Sequence, residues 1–459
     1  MSGSFASFST ALSALRYNRV VMDTASSNIA NAGTAGYSRR RVESETVAAP
    51  GQIAMWSRYE GSGEGVAVAG LQRMTDEFLN TRARQEHANL SYLGVRSTTL
   101  DRLETGIAEP GSQGVSARLA EFRASWHALA NNPGQDLSRT NVLTKATSLV
   151  ESVRTQATNV AREAGDARSR LEGLVTEVNT GAAELAEVNR MIAVASASKV
   201  DTNGLADQRD ALVMRLSELT GATATRRTDG GMDLTVGGVP LVTGKDAGTL
   251  VVATGSTGGP VSFAVRSNGT DVAVAGGLQG STGATADLLT VTLPAYAAGL
   301  DAVVRDLADQ VNTLHAGGYD STGAAGGPVF AYDPANPSGS LTVAITDPAL
   351  LAASGVPGGA VDGSNADLLT RTSGVETAYQ RLVNGLGTEV ASTGRLLTNQ
   401  SALVGQVDGA REQLSGVNLD EEMVSLLTAQ RAYEAASRVM NTMDSMLDTL
   451  INRTGLVGR

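Results

Sequence analysis

One stretch limits the fold more than any other. Val153, Ala157, Val160, Ala164, Ala167, Leu171, Leu174, Val178, Ala182, Leu185, Val188 and Ile192 return every third or fourth position, as the buried stripe of a single amphipathic helix must. With a lead-in from about Ser138 the spacing predicts a helix of ~85 Å at 1.5 Å per residue. A helix that long cannot be wrapped by one compact core, so the chain must be elongated. Shorter helical periods flank it: Leu205 to Leu219, stopped by Gly221; Leu293 to Leu314 through Leu300, Val304, Leu307 and Val311; and Leu382, Leu386, Val390, Leu397, Val404, Val407 and Leu414. Together they predict a long bundle drawn from both halves of the chain.

The two ends carry a narrower pattern. Phe5, Phe8, Leu12, Leu15, Met22 and Ile29 fall on 3-4 spacing, with Arg19 and Ser26 in the intervening seam positions. The other faces, from Ser2 to Ala14, are small and uncharged, and the first charge is Arg16. At the far end Leu419, Met423, Leu426, Gln430, Tyr433, Met440, Met443, Leu447 and Leu450 form a second such stripe, broken once by a stammer near Tyr433 and capped by Asn418 or Asp420. Glu421 and Glu422 fall on its outer faces. Two coiled-coil-like helices with no nearby partner in sequence are expected to pair with each other. Half a dozen apolar side chains return roughly 1.5 to 3 kcal/mol each, less than the roughly 1 to 2 kcal/mol per residue needed to order about 25 residues. The termini are therefore expected to order on assembly.

Between Gly221 and Leu293 the period changes to short β-rich runs: Ala222 to Arg227, Met232 to Val236, Val239 to Val242, Thr249 to Ala253, Val261 to Val265 and Asp271 to Val274. Asp229-Gly230-Gly231, Gly258-Gly259-Pro260 and Asn268-Gly269 are the turns between them. A second Gly- and Pro-rich stretch, Gly317 to about Ser373, reads as loop with one strand near Leu341 to Thr346. The expected fold is mainly α with a β insert, in three parts: a terminal helical domain (1–60 with 415–459), an elongated helical bundle (61–220 with 294–414) and a small antiparallel insert (221–293).

Chemistry is hard to find. The chain has no cysteine, only three histidines, and a net charge of −11 without a basic cluster. This excludes thiolate chemistry and argues against a nucleic-acid or anionic-membrane partner. His87, His127 and His315 stand apart from any carboxylate-and-histidine cluster at ligand spacing, so no catalytic, metal-binding or cofactor residue is expected. Gly244-Lys245 lacks the leading glycine and trailing hydroxyl of a phosphate loop, and Gly61 to Gly65 has the wrong spacing for a dinucleotide turn. Arg39, Arg40 and Arg41 read as a solvated face. No run of about 18 uninterrupted apolar residues is present.

The informative stretch runs from Ser27 to Tyr37. Gly33 can end the first helix in a left-handed cap, Asn31 and Thr34 can satisfy freed backbone groups, Gly36 permits a second reversal, and Tyr37 begins an extended segment. Ala30-Asn31-Ala32-Gly33-Thr34-Ala35-Gly36-Tyr37 resembles the A-N-x-x-T-x-G-Y motif of flagellar rod, hook and hook-associated axial proteins. Val417 to Met423 and Ala429 to Ala435 are similar to that family's other terminal signature. Leu205-Ala206-Asp207-Gln208-Arg209-Asp210-Ala211-Leu212-Val213, with His315 to Asp320 and Gly326 to Phe330, resembles the hook-associated 1 subfamily. The resemblance implies a structural subunit joining hook to filament. It implies self-association in an axial layer, with hook protein and hook-associated protein 3 as neighbours, and a flagellar export chaperone on the C-terminal helix. It further implies export without a cleaved signal to an extracellular position at the hook-filament junction. A distal rod or hook subunit shares both end motifs and stays as the alternative. The terminal stripes, with Asn31, Thr34, Gly36 and Tyr37, are the expected assembly interface.

Overall fold

The computed structural model describes residues 2–47, 65–255, 259–358, 361–371 and 373–452. The chain opens with α1 (Ser2–Ala30), then a hairpin of β1 (Arg40–Thr46) and β2 (Val66–Arg73). Next come α2 (Glu77–Ile107), α3 (Val115–Asn131), α4 (Asp136–Ala197) and α5 (Asn203–Thr220). The insert follows as β3 (Thr223–Arg226), β4 (Met232–Val236), β5 (Val239–Thr243), β6 (Asp246–Ala247), β7 (Thr249–Thr254), β8 (Ser262–Ser267) and β9 (Thr270–Ala273). The return path is α6 (Gly280–Asp287), a π turn (Leu288–Thr292) and α7 (Leu293–Ala316). A loop-rich stretch holds β10 (Phe330–Ala331), α8 (Pro337–Ser340), β11 (Thr342–Val343) and α9 (Ser364–Leu369), and the chain closes with α10 (Ser373–Ser415) and α11 (Leu419–Asn452).

The spine is α4, 62 residues long, or roughly 93 Å at the helical rise. It is longer than any one core, and it threads two. Toward its start Val142, Leu149 and Val153 pack with Trp126 of α3, Leu300, Leu307 and Val311 of α7, and Tyr379 of α10. Toward its end Val178, Ala182 and Leu185 pack with Leu100 and Leu103 of α2, Val213 and Leu216 of α5, and the insert. Between the cores the Gln156 amide donates to the hydroxyls of Tyr296 (2.7 Å) and Tyr379 (3.0 Å), joining α4, α7 and α10. Burial pushes both phenols well above their ordinary pKa and keeps them neutral.

Helix ends follow local chemistry. Asp76 accepts from the backbone N–H of Phe78 and Leu79 at the start of α2, the capping geometry of a helix N-terminus within the expected 61–220 bundle. At the end of α5 Gly221 takes φ +69°, where an added Cβ would lie 2.3 Å from the Gln279 side chain.

The insert forms two antiparallel sheets, ordered β3-β4-β5-β6 and β7-β8-β9. Asn268-Gly269 closes β8 onto β9 with positive φ at both residues. The sheets share the helices' core: Met232, Leu234, Leu250, Phe263 and Val265 lie in one apolar cluster with α4 and α5. Two asparagines of α4 hold them there. Asn179 exchanges two hydrogen bonds with the backbone of Leu250 (3.0 and 2.7 Å). Asn189 does the same with Met232 (2.7 and 2.9 Å) and also reaches the Gly244 carbonyl (2.9 Å). Asn179 thereby satisfies backbone groups of the edge strand β7, and Asn189 those at the start of β4, where its pairing with β5 has not yet begun.

One described helical stretch, Gly280–Ala316, is long and apolar enough to cross a membrane. Its apolar residues Leu293, Tyr296, Leu300, Leu307 and Val311 are instead buried in the two cores.

Candidate functional site

The ends of the chain meet, and α1 and α11 lie along one another. The seam does not follow the largest apolar residues. On α1 the buried positions are Ala11, Thr24, Ala25 and Asn28, while Phe8, Leu12, Leu15, Met22 and Ile29 are half-buried beside them. On the first half of α11 Glu422 and Ala429 face inward, whereas Leu419, Met423, Gln430 and Tyr433 are exposed. The phase expected there is off by one position, and Glu422, expected outside, is 3% exposed. Small side chains let two backbones approach, and a buried polar pair fixes their register. Past the stammer the expected phase returns: Met440, Met443 and Leu447 are half-buried, as is Leu426 earlier in the helix. The side chains of Phe5 and Leu450, and Gly61 to Glu64, lie outside the described residues.

The turn after α1 is built from its own polar groups. The Asn31 side chain donates to the Ser27 carbonyl (2.9 Å) and accepts from the Thr34 hydroxyl (3.3 Å). The Thr34 carbonyl receives the Tyr37 N–H (3.2 Å). The left-handed residue is Gly36, at φ +80° with Ala211 of α5 3.7 Å from a built Cβ. Gly33 is not among the positive-φ glycines, so the cap expected of it is replaced by the Asn31 and Thr34 hydrogen bonds.

This reversal returns Tyr37 to the helix it left. Its hydroxyl donates to Asn28 Oδ1 (2.7 Å), which also accepts the Arg40 N–H (3.1 Å). Asn28 Nδ2 donates to the Arg40 carbonyl (2.9 Å) and to Glu422 Oε2 (3.0 Å). All four hydrogen-bonding capacities of a side chain that is 1% exposed are thus used.

Around Asn28 the charges converge. Arg39 pairs with Glu422 (2.7 Å) and Glu421 (2.9 Å) of α11. Arg73, at the end of β2, pairs with Asp207 (2.8 Å) and Asp210 (2.7 Å) of α5, and Arg40 reaches Asp207 at 3.4 Å. Arg209 folds onto Asp210 (2.7 Å) and donates to the Gly230 carbonyl. The Arg39 N–H bonds the Ser415 carbonyl (2.9 Å), where α10 ends. Asn203 at the start of α5 holds the Leu71 carbonyl of β2 (3.0 Å). Four guanidinium groups meet four carboxylates, so the joint is neutral and tolerates partial burial. The expected solvated face is therefore corrected for two arginines: Arg39 and Arg40 are engaged, and Arg41 alone is exposed.

Three signatures read separately in the sequence, at Asn31 to Tyr37, Asp207 to Asp210 and Asn418 to Met423, are one joint in space. Asn418 caps α11, accepting from the N–H of Asp420 (3.0 Å) and Glu421 (3.4 Å). Asn28, Arg73 and Glu422 were missed as site residues; the signal available was the line of small and polar residues Thr24, Ala25 and Asn28 on one helical face. The joint has no nucleophile with a base beside it. It lies where the terminal helix pair leaves the bundle. Among the described residues no three His, Asp or Glu side chains converge as metal ligands would.

Residues 100–330 match the family model described as the flagellar hook-associated protein FlgK helical domain. Residues 8–37 match one for flagella basal body rod protein, and residues 412–453 match one for the flagellar basal body rod FlgEFG protein C-terminal. The chain is 27% identical to flagellar hook-associated protein 1 of Bacillus subtilis, with 100% of both chains covered. It is 24% identical to that of Escherichia coli, over 96% of this chain and 98% of the relative. The flagellar hook junction protein FlgK from Burkholderia pseudomallei has a similar fold, with a TM-score of 0.65 at 17% identity, covering 73% of this chain and 100% of that one.

Proposed function

The chain belongs to the flagellar hook-associated protein FlgK family, and from that premise we infer that it is a structural subunit of the bacterial flagellum at the junction of hook and filament. The observation that carries the mechanism is the polar joint. It sets α1 and α11 at a fixed exit from the bundle and leaves large apolar residues of α11 in solvent. Leu419, Met423, Val424 and Leu427 are each more than half exposed, which a lone chain has no reason to maintain and a neighbouring copy can cover.

In this reading the terminal pair (1–60 with 415–459) packs against other copies in an axial layer. The bundle (61–220 with 294–414) forms the shell around it, and the insert (221–293) lies outermost. The expected stripe residues, Phe5 through Ile29 and Leu419 through Leu450, contact neighbouring subunits. The layer meets hook protein on one side and the second junction protein, hook-associated protein 3, on the other. The chain is exported through the flagellar channel without a cleaved signal, and α11 is the site for a dedicated chaperone before export. The rod and hook reading draws only on the two ends; residues 100–330 favour the junction.

Electron microscopy of cells lacking the gene, with assay of flagellin in the medium, tests the position. Hooks without filaments and free flagellin support the junction; loss of the hook moves the protein to rod or hook. Met423→Asp, on an exposed face, is expected to leave the monomer folded and to block assembly, as is Leu15→Asp. Normal filaments from both variants would remove the interface.

A further inference from the structure

His87 of α2 stands between two carboxylates carried by two other helices. Its Nε2 lies 2.9 Å from Asp408 of α10 and its Nδ1 3.4 Å from Glu218 of α5. Each carboxylate continues into an ion pair: Glu218 with Arg215 (3.2 Å), which reaches Glu177 of α4 (2.6 Å), and Asp408 with Arg411 (3.3 Å), which donates to Asn80 of α2 (3.1 Å). The remaining charges nearby are already engaged. On α2, Arg84 pairs with Glu77, and Glu86 with Arg82 and Gln400; on α6, Asp287 accepts from Tyr92.

We propose that His87 is a protonation-controlled clamp, its imidazolium tying α10 to α2 and α5 just before α10 enters the polar joint. The imidazolium has one N–H for each carboxylate. The neutral ring has only one, so its bare nitrogen must face a carboxylate oxygen, and one of the two links becomes repulsive. Arg411 is one turn from Ser415, whose carbonyl receives the Arg39 N–H. Loosening α10 at Asp408 therefore loosens the anchor from which α11 departs.

The Glu218 carboxylate, with Asp408 behind it, outweighs burial and holds the imidazole pKa above its ordinary value. The sign follows: the clamp is complete below the unfolded histidine pKa of about 6.5 and is lost as pH rises through the higher folded value.

The clamp stands apart from the junction reading, because it is tested on the monomeric full chain. Imidazole NMR resonances are followed from pH 5.5 to 9, with His87 assigned by its disappearance in either His87→Gln or His87→Arg. Amide exchange over residues 400–415, corrected for intrinsic rates, is measured across the same range. The opening constant is expected to rise with pH by the factor separating the His87 acidity constants of the closed and open states, with the same midpoint as the His87 resonance. His87→Arg keeps the charge and is expected to give slow exchange without that midpoint; His87→Gln is expected to give fast exchange without it. An exchange midpoint that departs from the His87 resonance overturns the proposal, as does wild-type pH dependence in His87→Gln. If either variant unfolds, the comparison of the two wild-type midpoints decides alone.

Discussion

Replacing Asn28 by aspartate changes one atom's chemistry and almost no volume. Oδ1 keeps its two donors, the Tyr37 hydroxyl and the Arg40 N–H. The other position changes from a donor to an oxygen, facing the Arg40 carbonyl and Glu422 Oε2, which the amide reaches at 2.9 and 3.0 Å. Two hydrogen bonds are lost, at about 1 kcal/mol each. Two carboxylates are also set against each other, and at a charge separation of ~4 Å and an effective dielectric of ~20 their repulsion is about 4 kcal/mol. Solvent relieves little of this, since Asn28 is 1% and Glu422 3% exposed. The sum, about 6 kcal/mol near neutral pH, raises the opening constant of the terminal pair by more than about ten-thousandfold. It falls on the joint and leaves the two bundle cores intact. Acid should reverse part of it, because a proton shared between the carboxylates restores one hydrogen bond as pH drops toward about 5. Amide exchange over residues 39–46 and 419–432, at pH 7.5 and pH 5, is the assay. If Asn28→Asp protects those segments as well as wild type at pH 7.5, the joint does not hold the termini.

Other substitutions separate the remaining contributions. Gly36→Ala is expected to destabilise the same segments by about 1 to 2 kcal/mol, because its φ of +80° is left-handed. Gly33→Ala, with nothing within 4 Å of an added Cβ, should be close to neutral in the same exchange assay. Asn189→Ala removes three hydrogen bonds to Met232 and Gly244 and strands buried groups of β4; a loss of about 3 kcal/mol or more is expected in denaturant unfolding, with amide exchange in β4 accelerated first. His315 is fully buried, donating Nδ1–H to the Gly327 carbonyl (2.7 Å) and accepting the Ala352 N–H at Nε2 (2.8 Å), and burial lowers its pKa. The unfolded chain takes up a proton that the folded chain refuses, so stability should fall as pH drops below about 6.5 and continue falling to the lower folded value. The melting temperature between pH 7.5 and 5.5, compared with His315→Asn, reads this out.

Much of the fold is written in local patterns. The period of α4 from Val153 to Ile192, the stop at Gly221, the strand runs from Ala222 to Val274 and the Asn268-Gly269 turn depend on neighbours within a few residues, and each has its counterpart in the structure. The end motifs are legible for the same reason: Asn31 and Thr34 bond within a single reversal that the left-handed Gly36 completes.

Three things waited for the tertiary structure. The seam between α1 and α11 follows how closely two backbones approach, which Ala25 and Ala429 favour over Met423, so the most apolar stripe on α11 lies partly outside it. The asparagines of α4 that hold the sheets have partners 43 to 71 residues away, and nothing in a helical period marks them. The joint pairs residues as far apart as Asn28 and Glu422, 394 positions in sequence. Sequence alone determined the spine helix, the terminal helices and the strands and turns of the insert, because backbone preference and amphipathic period are short-ranged. Only the folded chain decided which polar groups are buried against which, because a buried charge or amide is tolerable only where its particular partner arrives.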